Sequence, residues 1–376
     1  GWTQTAAVSS TTSAITLSAT RGLLVFALVT MLAAPGAAMT PLTKSTSPLN
    51  REAAAFGPQA GVGHRGMESS HTGGLPSAWN EAADVHGTFA PMFRWARCVY
   101  AGTSCDLPGV PMRYDSFVDA MWNAVRSGHV QPQHGDLVQK GLHWGFEAGI
   151  NPDLLRGCRI FKNYPAALGE FAGRVAGAIQ KRVSAGRTLD LGPWRPELAR
   201  VMSDVFGSYF IFPMSAAGKP MEPLAARPLS DHTKTGLNAA VDMTGLRHTL
   251  DTYREVADRL KHGHHMHVSD VDSAFPMLGW ASWVWAYMFH RFYPMRDDGT
   301  LGSGLHLYVN INGDFGTRGM PGVFKIFFAD VVVGMARAAA VLTSPLSVYV
   351  DDLGLCGAHA KAVTAEMHAF QSWALQ

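Results

Sequence analysis

Two acidic strand ends, VSDVDSAF (268–275) and VYVDDLGLCG (348–357), constrain this chain more than any other feature. In each, β-branched apolar residues lead into an Asp and a turn or helix follows, which reads as a strand delivering a carboxylate at its end. The two lie 81 positions apart. Only a sheet that makes the first and last strands of a longer unit into neighbours brings Asp270 beside Asp351 and Asp352. Adjacent carboxylates repel and raise each other's pKa unless a cation lies between them. Oxygen-only ligands at an accessible sheet edge suit Mg²⁺, with Mn²⁺ as an alternative, because such ions take one or two carboxylates together with phosphates. Two of them about 3.5–4 Å apart serve an in-line phosphoryl displacement. The side chain of Asp272 is expected on the opposite face from a residue adjacent to it, and Asp272 is left out of the set.

The pattern between and before these strands supports such a sheet. Phe117, Met121, Trp122 and Val125 recur at helical spacing, and a second helix is expected over Asp136 to Ala148. Leu168, Phe171, Val175, Ile179 and Val183 form a stripe that Gly186 should end. Beyond Pro196 the chain alternates: a strand near Tyr209–Phe212, a turn at 218–220, a helix over about 249–260 and a strand ending at Asp270. A Trp-rich helix over about 277–292, a strand at Leu305–Ile311, a long apolar helix from Pro321, the strand Leu346–Val350 and a last helix over about 359–373 follow. Strand–helix–strand–strand–helix–strand order is the split βαβ (ferredoxin-like) arrangement, an α+β fold with helices on one face of an antiparallel sheet.

Four ordered blocks then carry a resemblance. YVDD (349–352) resembles the Y-x-D-D motif of reverse transcriptases. VSDVDSAF is similar to the first Asp motif of that family, with Asp270, Ala274 and Phe275 in order. GDFGTRGMPGVFKIFF (313–328) resembles its G-x-x-G-x-P-x-x-F block through Gly316, Gly319, Pro321 and Phe324. ARPLSDHTKTGLN (226–238) resembles its fingers block. Upstream, GLHWGFEAGI (141–150), KNYPAALGEF (162–171) and AGR (185–187) look like the lead-in of retrotransposon polymerases, DIRS-type elements above all. The resemblance spans about 112–376 and is sharpest over 213–357.

Residues 1–110, rich in Ala, Gly, Ser, Thr and Pro, read as largely disordered from their composition; the resemblance implies an RNA-directed DNA polymerase with a fingers–palm fold: a helical lead-in over 111–200, fingers over 201–262 and palm over 263–376. It implies Asp270, Asp351 and Asp352 as the ligands of two Mg²⁺ ions. Phe275 would lie under the incoming sugar and exclude a 2′-hydroxyl. Phe315, Gly316, Gly319, Pro321 and Tyr349 would line the nucleotide site, and Arg227, with Lys219 beside it, would hold the triphosphate through charge-assisted hydrogen bonds. The implied partners are a primed RNA or DNA template and deoxynucleoside triphosphates, in an intracellular setting without membrane association and with no protein partner indicated. The thumb and RNase H regions expected after the palm are not within these 376 residues, so a fragment, an inactive retroelement remnant or a domesticated nucleic-acid-binding module stands as the alternative.

The remaining signals are weaker. A net charge of +2 does not diagnose a nucleic-acid binder, but residues 156–200 carry nine Lys or Arg against three acids, which suits either a phosphate-facing stretch or a solvated helix face. Hydrophobic content of 47% against 16% charged excludes a wholly disordered chain. Cys98, Cys105, Cys158 and Cys356 form no CxxC pair, which argues against a zinc ribbon and for reduced thiols. The apolar run at 22–34 reads as upstream sequence without function, an internal apolar helix or a targeting segment. GVGHRG (61–66) lacks a preceding strand and reads as linker, and HGHHMH (262–267) reads as a loop entering a strand rather than a metal site. Trp280, Trp283 and Trp285 read as core, and Asp297-Asp298-Gly299 as a turn.

Overall fold

The structure is a computed structural model that describes residues 4–6, 17–19, 87–89, 91–92, 115–219, 222–247, 253–271 and 274–374. The apolar run at 22–34, GVGHRG, Cys98, Cys105 and Asp272 lie outside the described residues. The described residues from 87 onward belong to one compact unit.

The strands are β1 (Gln4–Ala6), β2 (Leu17–Ala19), β3 (Cys158–Ile160), β4 (Thr188–Pro193), β5 (Tyr209–Ile211), β6 (Met214–Lys219), β7 (Glu222–Ser230), β8 (His265–Asp270), β9 (Phe289–Phe292), β10 (His306–Asn310), β11 (Leu346–Tyr349) and β12 (Asp352–Gly357). They make two mixed five-stranded sheets, ordered β1-β2-β8-β12-β11 and β3-β5-β9-β10-β4, and the separate β6-β7 hairpin. The ten α-helices among the described residues are α1 (Asp115–Arg126), α2 (Pro132–Trp144), α3 (Pro165–Leu168), α4 (Ala172–Ser184), α5 (Leu198–Phe206), α6 (His232–Thr235), α7 (Tyr253–Arg259), α8 (Met320–Phe324), α9 (Val333–Ala338) and α10 (Ala360–Ala374). No helix among the described residues is long and apolar enough to cross a membrane.

Local chemistry explains most boundaries. In α1, Met121 and Ala124 are fully buried, with Phe117 and Val125 packed against the same core. Pro132 sits in the first turn of α2 after an extended Gln131, so that helix starts four residues before the expected Asp136. The stripe from Leu168 to Val183 is broken into two helices, because α3 stops at Gly169 and leaves Leu168 41% exposed. Val175 and Ile179 then face the core from α4, and Gly186 follows that helix in the left-handed region, as expected.

The stretch 277–292 departs furthest from expectation. Pro276 and Gly279 prevent a continuous helix, and the segment folds as two short 3₁₀ turns (Phe275–Met277 and Ser282–Tyr287) followed by β9. Trp280 and Trp285 are buried as expected of core residues, while Trp283 donates from Nε1 to Glu147 Oε1 at 3.0 Å. The strand expected at 305–311 forms as β10, but β9 occupies its edge, with Phe289 opposite Val309 and Phe292 opposite His306. The single antiparallel sheet therefore becomes two, and β10 joins the one that lacks the aspartates. The expected long apolar helix runs from α8 through a π-helical stretch, Lys325–Val332, into α9. Lys325 Nζ there meets Asp330 at 2.6 and 2.8 Å, a pairing five residues apart that the π turn brings into reach.

Phe289 is fully buried at the centre of the second sheet, 5.3 Å from the Phe206 ring and 6.4 Å from that of Phe89. Phe289→Ala is expected to cost about 3–5 kcal/mol, and Phe289→Leu clearly less. Urea unfolding of both variants checks this; equal midpoints for wild type and Phe289→Ala would show that the second sheet is not built around this ring.

Candidate functional site

The pairing of β8 with β12 builds the site. The two run antiparallel with Asp352 directly opposite Asp270, and Tyr349 on β11 is opposite Asp352 on its other side. Residues directly opposite share a face of the sheet with Cβ atoms about 4.5–5.5 Å apart. Tyr349, Asp352 and Asp270 thus form one row across three strands. The alternate row, Val348–Leu353–Ser269, faces the other side. That side is covered by α10, where Gln371 Nε2 donates to Ser269 Oγ at 2.8 Å and His267 meets the His368 ring at 5.7 Å.

Asp351 sits in the two-residue turn between β11 and β12. Its carbonyl accepts a hydrogen bond from Val271 N at 2.9 Å, which ties the turn to the end of β8. Val350, the other turn residue, has φ 57. A β-branched residue there is strained by about 1–3 kcal/mol and persists only where its surroundings over-determine it.

The electrostatics reflect this crowding. Partial burial, then the neighbouring Asp351, then Asp270, push the Asp352 carboxyl up to about 6. No group of three His, Cys, Asp or Glu side chains among the described residues is arranged to hold a metal ion as it stands. Asp270 and Asp352 are nevertheless cross-strand neighbours, with Asp351 next in the chain, so three like charges are gathered at one end of these strands. The donor set, all oxygen, suits Mg²⁺ or Mn²⁺, and Asp270, Asp351 and Asp352 are the residues that would hold it.

The glycine block lies beside the end of β8 through Phe275. The Phe275 ring is 4.9 Å from that of Phe315 and 5.7 Å from that of Phe324. Phe275 itself is buried at 6% exposure, whereas Phe315 is 48% exposed, so the accessible ring is Phe315 with Phe275 behind it. The Phe275 ring packs against both Phe315 and Phe324, and belongs to the buried core. Gly316 has φ 135, and a Cβ there would collide with the Ser230 carbonyl. Gly319 lies against the Ala148 carbonyl with no room for a side chain, and Pro321 occupies the first turn of α8.

The β6-β7 hairpin reaches the same block. Arg227 is exposed on β7 opposite Ala217, three positions before the Ser230 that touches Gly316. Lys219 ends β6, paired with Glu222. The basic stretch 156–200 is partly structural. Arg159 donates to the Thr235 carbonyl and lies 4.6 Å over the Phe210 ring, Arg174 lies 5.4 Å over Phe171, and the guanidinium of Arg182 donates to Gly313 O at 3.1 Å. In HGHHMH, His265 and His267 belong to β8 and the residues before them form its entry turn.

Sequence reasoning missed Asp314 and His232. Both side chains are fully buried, and His232 Nε2 donates to the carboxylate at 2.9 and 3.1 Å. Asn310 Nδ2 at 3.1 Å and Thr317 Oγ1 at 3.0 Å donate to it as well. Burial alone would raise the Asp314 carboxyl; the charges of His232 and Arg182 and the hydrogen bonds from His232 and Ser230 more than offset it and hold it well below the usual carboxylate range. The only sequence signal was an acid in a glycine-rich stretch, and nothing in the spacing named its partner 82 positions away.

Because Asp352 titrates well above an ordinary Asp, its ionisation opposes folding. Without divalent cations the stability that its protonated form contributes is present at pH 4 and lost as pH rises through about 6. Asp352→Asn is therefore expected to melt higher than wild type at pH 8 in EDTA and close to wild type at pH 4.5, with Mg²⁺ narrowing the gap at pH 8. Thermal melts at both pH values check this; an equal gap at the two would remove the proposed repulsion.

In sequence comparisons, no protein-family model matches this chain, and no curated protein matches it either.

Proposed function

We propose that residues 112–376 form an RNA-directed DNA polymerase domain of a retroelement, its fingers–palm body holding the carboxylates of a nucleotidyl transfer site. The observation that carries this reading is the β8–β12 register. It sets Asp270 opposite Asp352, with Asp351 in the adjoining turn and the exposed Phe315 reached through Phe275. Agreement of four ordered sequence blocks supports it independently.

Under this reading Asp270, Asp351 and Asp352 hold two Mg²⁺ ions, which supply activation of the primer 3′-hydroxyl and charge neutralisation on the phosphates. The protein's own residues bind and orient. Exposed Arg227, with Lys219 at the same hairpin, grips the triphosphate of a deoxynucleotide; a planar guanidinium fits phosphate oxygens in pairs. Phe315, backed by Phe275, offers a flat apolar surface to the nucleotide. Gly316 and Gly319 keep the backbone low enough for a base to approach, and Tyr349 flanks the carboxylate row at 41% exposure. Primer and template run past the sheet edge that carries this row. An intracellular location follows from the substrates of such an enzyme.

Primer extension on a homopolymer RNA template with Mg²⁺ tests the proposal. Wild type is expected to extend the primer, and Asp351→Asn to lose about 10²–10³ in rate, as removal of a preorganised electrostatic group does. Primer–template binding without synthesis by wild type would overturn the polymerase reading in favour of an inactive remnant or a nucleic-acid-binding module.

A further inference from the structure

The hydrogen-bond network around Asp314 joins three segments that the proposed site needs in register. The carboxylate lies one residue before Phe315 and two before Gly316. His232 comes from the segment after β7, the strand that bears Arg227. Asn310 belongs to β10 and receives from Thr188 Oγ1 on β4 at 2.8 Å. Arg182, on α4, donates to the carbonyl of Gly313. Asn238 adds a second tie, donating to Gly316 O at 2.8 Å and accepting from Arg318 N at 2.9 Å.

A buried charge is held only where it is fully hydrogen-bonded and paired, and removing one partner leaves the other uncompensated. An apolar pair of equal volume would hold these segments together at least as well. What an apolar pair lacks is direction. A carboxylate gripped by His232, Asn310 and Thr317 fixes the rotation of residue 314, and through one peptide bond the aim of Phe315 and the tight approach of Gly316 to Ser230.

We propose that Asp314 and His232 act as a positioning pair that locks the 313–319 loop to the end of β7, so that Phe315 and Arg227 meet an incoming nucleotide as one preset unit. The proposal rests on the polymerase reading for its effect on nucleotide use, but not for the lock itself.

Two measurements on the full chain separate these parts. The variants are His232→Leu, which removes the donor to Asp314, and His232→Gln, which restores one near the Nε2 position. Hydrogen–deuterium exchange reads the lock without any activity. In His232→Leu the amides of 313–319 should lose protection while those of β8 and β12 keep theirs, and His232→Gln should recover it. Unchanged protection of 313–319, or equal loss at β8 and β12, would overturn the lock. Single-nucleotide incorporation reads the consequence. His232→Leu should raise the KM for the deoxynucleotide about 10- to 100-fold, the cost of misplaced binding groups, with kcat and primer–template affinity within about twofold. A fall in kcat and template affinity alongside the rise in KM would mark a merely structural role. If wild type incorporates nothing, the polymerase reading falls and exchange still decides the lock.

Discussion

Six consecutive cross-strand pairs, from Asp352 opposite Asp270 to Gly357 opposite His265, fix the part of the molecule from which every functional statement follows. Side chains alternate between faces along a strand, so a slip of one residue would exchange the two rows. Asp352 would then turn towards α10 and the core beneath it, where Leu353 and Leu355 now sit at 3% and 0% exposure. A carboxylate in that position would be buried without a partner, which is far costlier than the apolar contacts it would displace. The pattern of Leu353, Leu355 and Ser269 therefore enforces the juxtaposition of acids on the opposite face. Hydrophobic burial on one side holds electrostatic repulsion in place on the other.

That repulsion is local and has a recognisable shape. Asp352 is pushed up by burial and by two neighbouring carboxylates, while Asp314, more deeply buried, is pulled down. The difference is supply of partners. Asp314 has His232, Asn310, Thr317 and Ser230 as donors and Arg182 as a nearby cation. The charges that act most strongly on Asp352, those of Asp351 and Asp270, have its own sign. A fully satisfied buried acid holds structure together, whereas acids crowded at a sheet edge are poised to take up positive charge.

The sequence was legible where a pattern is short-range and unmistakable. β10, β11 and α10 lie within a residue or two of their expected ends, because alternation and helical periodicity act locally. The convergence of Asp270 on Asp352 was legible from two strand ends of matching character. The 277–292 segment was not, since three tryptophans mimic helical spacing and the breaking effect of Pro276 and Gly279 weighs more than the stripe. Missing β9 also hid the second sheet, because β10 has no other partner on that edge. Leu168 was misread for a similar reason: a stripe does not reveal that Gly169 interrupts the helix carrying it. The Asp314–His232 pair lay beyond reach, since neither residue ends a strand or sits in a periodic stripe that would mark a partner.

Two tips of the structure, one at Val350 and one at Gly316, hold demanding backbone positions through bonds made to other segments. Val350 holds a positive φ at the hairpin tip, and Gly316 makes a backbone approach that no other residue permits. Each costs conformational free energy that the local segment does not recover by itself. The Val271–Asp351 hydrogen bond restrains the first from β8, and the donors to Asp314, with Asn238, restrain the second from the segment after β7. Strain at Val350 is thus opposed by a bond from the end of β8, while the close approach of Gly316 to Ser230 is held by bonds from the segment after β7.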